Sequence, residues 1–207
     1  CTDANVDETQ VSKILKTAAD QSFNCISVEG HTSTNDALLL IGSGAVGDPI
    51  VDGPSLDALQ QAVTEVCLET AKLIPADGEG ATHLIEINVA GAACDQDAET
   101  VARTVAASNL VKTAIAGSDP NWGRIVSAAG YAGVEMQQKN IALQINGHCV
   151  FEGGEPVKFD AADVSQSIAG SFETSISLQV GDGNGTAVHW TSDLTVDYVR
   201  FNSEYTT

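Results

Sequence analysis

Apolar positions with helical spacing recur along the chain and predict four helices. Asp7 can cap the first helix, with Gln10 as its capping-box partner. Ser55 is expected to cap the second, whose apolar stripe faces a core. The stripe within 98–105 marks the third helix, and the fourth covers Asp160 to Ala169.

Other segments have the pattern of strands and turns. Ala37 to Ile41 is continuously apolar and predicts a buried strand, whereas Leu84 to Val89 alternates between apolar and polar residues. Asn146-Gly147 predicts a type I′ turn within a hairpin covering 141–151. A second hairpin is expected from Thr174 to Trp190, with its turn at 182–185.

The middle of the chain adds a helix start and a boundary. Asp119-Pro120 predicts a helix with its cap at Asp119 and proline at the first helical position. Helices and strands are interleaved, and hairpins concentrate in the second half, which favours a mixed α/β layered fold. A soft boundary near Pro75 to Gly80 divides the chain into regions 1–75 and 76–207.

Composition supports a folded core and excludes several kinds of partner. Of the 207 residues, 43% are hydrophobic and only 18% are charged, unlike a disordered chain. Nine Lys and Arg against 28 Asp and Glu give a net charge of −19, which disfavours nucleic acid and anionic lipid. The longest apolar stretch is far too short for a membrane span.

The cysteine and histidine spacings suggest no metal site. The five cysteines contain no C-x-x-C pair, so we expect neither a disulfide framework nor zinc, and a reducing, cytoplasmic location. The four histidines lack metal-ligand spacing and are expected to be surface or strand residues.

Three polar or glycine-rich segments could carry chemistry. Gly42 to Gly47 matches G-x-G-x-x-G, but Asp-Pro follows where a helix should open, so a glycine-rich turn is favoured over a dinucleotide site. Glu79 lies between two glycines and could face a ligand or be solvated on a turn. The loop from Glu29 to Asp36 could bind a polar ligand or satisfy its own backbone.

Taken together, several blocks resemble one known family. They are Thr2-Asp-Ala4, Ser22-Phe-Asn24, Thr32-Ser-Thr-Asn-Asp36, Asp77-Gly-Glu-Gly-Ala-Thr82, Val111-Lys-Thr-Ala-Ile-Ala-Gly117, Asp119-Pro-Asn-Trp-Gly-Arg-Ile125, Asp193-Leu-Thr195 and Asp197-Tyr-Val199, with Asn202 and Thr207 at the end. Their order over the whole chain resembles the β chain of ornithine acetyltransferase, also called glutamate N-acetyltransferase, of arginine biosynthesis.

The resemblance implies a reaction and a nucleophile. Members of that family cleave themselves, and the new N-terminal threonine of the β chain carries acetyl from N2-acetylornithine to glutamate, with its α-amine as the base. The register places that threonine just upstream of Cys1, so no catalytic residue is expected in this chain. Cys1 as an N-terminal nucleophile is the less favoured alternative, since its register does not match.

The resemblance also implies substrate-binding residues. Glu79 matches the family's acidic residue and suits an ammonium group by its charge. Asn202 and Thr207 match a polar pair at the C-terminal end, which must then fold back to the site. This chain departs from the family pattern at four positions outside that set, which are Cys25, His31, His83 and Val196.

The remaining implications concern fold and partners. The fold is expected to be the layered α/β sandwich of the self-processing aminopeptidases, with residues 1–75 completing a domain begun by an α chain and an α2β2 heterotetramer as the assembly. No metal or organic cofactor is implied, although acetyl-CoA could serve as a second donor. The alternatives are an amide or peptide hydrolase on the same scaffold and a non-catalytic subunit.

Overall fold

The computed structural model describes residues 1–205. These residues divide into two compact units, the first made of Cys1–Ile26 and His31–Ile74, the second of Ser27–Gly30 and the chain from Pro75 onward. The expectation that residues 1–75 complete a domain begun by another chain stays a prediction. Within residues 1–205, every helix is too short or too polar to cross a bilayer.

The first unit contains a two-stranded parallel sheet and two helices. Its elements are β1 (Thr2–Val6), α1 (Glu8–Asp20), the start of the short strand β2 (Ile26–Ser27), β3 (Gly42–Ile50) and most of α2 (Gly53–Ala76). β1 pairs with β3 in parallel, with shifts of register between Thr2 and Val6. Asp7 caps α1 as predicted, because its carboxylate accepts from the backbone N–H groups of Thr9 and Gln10.

The predicted buried strand at Ala37 to Ile41 is wrong. The strand is β3, which covers 42–50 and includes the glycine-rich segment predicted as a turn. A strand forms where a neighbour satisfies its backbone groups, and β3 finds that neighbour in β1. The preceding apolar residues stay largely uncovered, with Leu39 73% and Ile41 58% exposed. A dinucleotide-binding fingerprint needs a helix that begins at its last glycine. No helix begins at Gly47, so this segment lacks that feature.

The second unit is built on a seven-stranded mixed sheet. Its elements are β4 (Leu84–Ala92), α3 (Asp95–Ala106), α4 (Asn109–Ala116), α5 (Trp122–Gly130), β5 (Ala142–Ile145), β6 (His148–Glu152), β7 (Glu155–Pro156), α6 (Ala161–Ala169), β8 (Glu173–Gln179), β9 (Gly185–Ser192) and α7 (Val196–Glu204). The strand order is β2-β9-β4-β8-β5-β6-β7. β4 pairs with β8 in parallel and with β9 in antiparallel orientation.

The core of this unit lies between one sheet face and the helices. Ile87 of β4 lies opposite Ile176 of β8, and both side chains are fully buried. Apolar residues of the helices complete the same cluster, including Val101 of α3, Ile125 of α5 and Ile168 of α6. The predicted mixed α/β layered fold class is confirmed, since helices form one layer and the sheet another.

The local turn chemistry is confirmed at the first predicted hairpin. β5 and β6 pair in antiparallel orientation around Asn146 and Gly147, both of which have positive φ. α5 begins later than predicted. Its cap is Asn121, whose side chain accepts from the backbone N–H of Arg124 at 3.2 Å, while Asp119 accepts from the Asn121 amide.

The second predicted hairpin is wrong, because β4 lies between β8 and β9. The connection 180–184 therefore crosses the end of β4 instead of closing a tight turn. A Cβ at Gly183 would overlap the carbonyl oxygen of Ala92, and one at Gly185 would overlap that of Cys94. The glycines that resembled a turn signal are required by this close crossing.

Candidate functional site

The turn between α2 and β4 carries Glu79, the acidic residue singled out by the sequence. The Ala81 N–H donates to the Gly78 oxygen at 2.9 Å and closes a four-residue turn. Gly80 is the third residue of that turn and has φ +67°, a conformation that glycine adopts without strain. The turn leaves the Glu79 side chain exposed.

Two tethers hold this turn to the segment that joins β9 to α7. The Thr195 hydroxyl donates to the Gly80 carbonyl oxygen at 2.7 Å. The Asp193 carboxylate accepts from the Thr82 backbone N–H at 2.9 Å and from the Thr82 hydroxyl at 2.5 Å. Glu79 therefore lies on a short loop that is fixed on its C-terminal side at two points.

Asp193 is buried and also contacts His83. The His83 Nδ1 atom lies 3.1 Å from an Asp193 oxygen, and its Nε2 atom lies 3.3 Å from the Ile168 carbonyl oxygen. His83 is only 7% exposed and precedes β4, so it is neither the surface nor the strand residue that its spacing suggested. Its imidazole joins the Asp193 carboxylate to the end of α6.

Helix α7 begins beside the Glu79 turn and carries Asn202. Thr195 caps the helix by accepting from the Tyr198 N–H at 3.2 Å. Asn202 is exposed one turn further on, and its amide donates to the Tyr198 carbonyl oxygen at 3.0 Å. Glu79 and Asn202 thus belong to adjoining elements, while Thr207 lies outside the described residues.

The pKa of Tyr198 reflects the burial of its side chain and the negative charges near it. Burial raises the pKa of its phenol, and the negative charges of Glu29 and Glu79 raise it further. A phenol with a raised pKa stays neutral at physiological pH and keeps its O–H as a donor. The two carboxylates near it create a field that attracts a cationic ligand.

Lys112 is a buried cation in the same unit. It lies on α4, is 3% exposed, and donates to the Val28 carbonyl oxygen and to the Thr191 hydroxyl, the latter at 3.2 Å. Burial lowers the pKa of this amine to about 8, against an opposing effect of the Asp193 and Glu29 charges. Lys112 fixes the segment 27–30, which bears Glu29.

His189 extends this buried polar chain. Its Nε2 atom lies 3.0 Å from the Ser27 hydroxyl, and Ser27 lies 3.4 Å from the Thr191 hydroxyl. Burial lowers the His189 pKa to about 4, and the positive charges of Arg103 and Lys112 lower it further. His189 is therefore a neutral strand histidine on β9.

The remaining candidates lie elsewhere. Cys1 is exposed and lines an apolar cavity of about 350 Å³ in the first unit, together with Val66 and Cys67. The hydroxyl-rich loop 29–36 satisfies part of its own backbone, because the Ser33 hydroxyl accepts from the Asp36 N–H at 3.1 Å. Among residues 1–205, no group of three or more His, Cys, Asp or Glu side chains could hold a metal ion.

Sequence reasoning missed three residues of the site. Asp193, Thr195 and Lys112 were noted only within family blocks. A lone lysine among the buried α4 residues was the one available signal, since an unpaired buried amine is costly. The Asp193–Thr82 contact spans 111 residues and leaves no local pattern.

Comparison with known proteins identifies the family. The ArgJ family model matches residues 1–207. The arginine biosynthesis bifunctional protein ArgJ of Rhodopirellula baltica is 51% identical, over 100% of this chain and 51% of that protein. The protein of the same name from Gloeobacter violaceus is 47% identical, over 99% of this chain and 51% of that protein. The chain therefore spans about half the length of the curated relatives it matches.

A solved structure gives the same result. The crystal structure of the arginine biosynthesis bifunctional protein from Bacillus halodurans superposes with a TM-score of 0.95 at 41% identity. The superposition covers 99% of this chain and 97% of the other. Sequence and fold agree over the full length, and the chain belongs to the ArgJ family.

Proposed function

We propose that this chain is the β subunit of an acetyltransferase that moves acetyl from N2-acetylornithine to glutamate in arginine biosynthesis. The observation that carries the proposal is the placement of Glu79. Its carboxylate is exposed on a doubly tethered turn, beside the helix that bears Asn202. Membership of the ArgJ family supports the same assignment.

The reaction runs in two half-reactions. A threonine hydroxyl upstream of Cys1 attacks the acetyl carbonyl of N2-acetylornithine, with the threonine's own α-amine as base. The amide C–N bond breaks, the leaving nitrogen takes a proton, and ornithine departs from an acetyl-threonine ester. The amine of glutamate then attacks this ester, forms N-acetylglutamate and restores the hydroxyl.

The residues of this chain bind substrate in this scheme. Glu79 pairs with an ammonium group of ornithine, and the charge of Glu29 adds to the local negative field. Asn202 and Thr207 supply polar contacts to the substrate. No organic cofactor takes part, and acetyl-CoA is a possible second donor for the complete enzyme.

The surface of the first unit supports a companion α chain from the same precursor. A two-stranded sheet is marginal by itself, and β3 is exposed along most of its length. Large apolar side chains are exposed in this unit, among them Leu39, Val46, Val66 and Leu73. Such exposure is typical of a surface that another chain covers. We place the enzyme in the cytoplasm as an α2β2 heterotetramer.

Glu79→Gln in the complete enzyme tests the role of the carboxylate. Loss of a charge-assisted contact should lower kcat/KM for N2-acetylornithine by on the order of ten- to a hundredfold. Glu155→Gln is the matched control, because it removes an equal charge from the exposed edge strand β7. Equal kinetics for the two variants would remove Glu79 from the site.

Intact-mass measurement tests the acetyl-enzyme. Incubation with N2-acetylornithine alone should add about 42 Da to the β chain, and glutamate should remove that mass. Turnover with water and without glutamate would indicate the hydrolase alternative. Full activity without any adduct would contradict the covalent scheme.

A further inference from the structure

One hydroxyl group links the Glu79 turn to the helix that bears Asn202. The Thr195 oxygen donates its proton to the Gly80 carbonyl oxygen at 2.7 Å. The same oxygen accepts from the Tyr198 N–H at 3.2 Å and so caps α7. The donor and an acceptor site of a single side chain are therefore both in use.

Direct packing reinforces this link. An ideal Cβ at Gly80 would lie 2.8 Å from the Tyr198 nitrogen and 2.9 Å from the Asp197 Cβ. The turn backbone thus rests on the first turn of α7 without an intervening side chain. A shift of either element moves the other, because packed elements transmit small displacements.

We propose that Thr195 is a positioning residue that sets the placement of Glu79 relative to α7 and thereby the affinity for the ammonium group of the donor substrate. The inference rests on the proposed function, in which Glu79 and Asn202 both bind substrate. Thr195 contacts the turn and the helix, and it acts on the substrate through Glu79. Asp193 is the second tether, but its burial and its contact with His83 make its removal destabilising in itself.

Steady-state kinetics of Thr195→Val in the complete enzyme test the inference. Valine keeps the shape of threonine and loses the donor and the cap, so KM for N2-acetylornithine should rise on the order of three- to tenfold while kcat stays nearly constant. Thr195→Ser keeps the hydroxyl and should restore the original KM. Glycine is tolerated at a helix cap but has no hydroxyl to donate, so Thr195→Gly should raise KM as Thr195→Val does.

Combination with Glu79→Gln separates positioning from a general structural effect. If Thr195 acts through Glu79, Thr195→Val should not raise KM further in the Glu79→Gln enzyme. Independent, multiplying effects would overturn the inference, as would unchanged KM in both the valine and glycine variants. If Glu79→Gln alone has no effect, the proposed function fails instead.

Discussion

Gly80→Ala perturbs the junction of the Glu79 turn with α7 in a way that can be estimated from the structure. Gly80 has φ +67°, and an added Cβ would lie 2.8 Å from the Tyr198 nitrogen and 3.0 Å from the Asp197 carbonyl carbon. Alanine is therefore strained in its backbone and overlaps main-chain atoms that cannot rotate away.

The two effects have separate magnitudes. The left-handed conformation costs a non-glycine residue about 1–2 kcal/mol. Overpacking against a fixed neighbour adds about 1–3 kcal/mol. Gly133 is the matched control, because it has φ +76° and nothing within 4 Å of an added Cβ. Gly133→Ala should show the backbone cost alone.

Urea unfolding of the complete enzyme measures the difference. Gly80→Ala should lower the free energy of unfolding by about 1–3 kcal/mol more than Gly133→Ala does. If α7 detaches instead, amide hydrogen exchange in 196–204 should accelerate only in Gly80→Ala. Equal unfolding free energies together with unchanged exchange in α7 would refute the close-packing argument.

Three further outcomes are expected. The folded-state pKa of Lys112 is about 8 against 10.5 for a free lysine, so the unfolded chain binds more protons between pH 8 and pH 10.5. The free energy of unfolding should therefore rise by on the order of 3 kcal/mol across that pH range. Urea unfolding midpoints should show this rise in the original protein and not in Lys112→Met. The folded-state pKa of His189 is about 4 against 6.5, so stability should fall as the pH drops from 6.5 towards 4, and His189→Gln should flatten that fall in the same assay. Deletion of Thr207 should impair turnover without changing the unfolding midpoint, and an active truncated enzyme would show that this residue is dispensable.

The sequence predicted elements whose signals are local. The Asp7 cap of α1 and the Asn146-Gly147 turn follow from side chains within a few residues of one another. The predictions that were wrong depend on residues far apart in the sequence. Whether 182–185 closes a hairpin depends on β4 lying between two later strands, and Ala37 to Ile41 belongs to no strand within residues 1–205.

The residues of the candidate site also divide into those that a local sequence pattern marks and those that it does not. Glu79 was singled out because a block of adjacent residues marks it. Thr195, Asp193 and Lys112 were not found, because their partners lie on other elements; the Thr195–Gly80 contact alone spans 115 residues. Helix α7 was also missed, since its apolar residues Val196, Val199 and Phe201 are exposed and follow no clear stripe.

The strand order has a consequence for the nascent chain. β4 is an interior strand of the sheet, yet both of its neighbours, β8 and β9, are synthesised more than 80 residues later. Ile85, Ile87 and Val89 therefore lack these strand partners until residues 173–192 have left the ribosome. During that interval the unpaired segment is a natural target for chaperones, and slow translation through 93–172 would prolong its exposure.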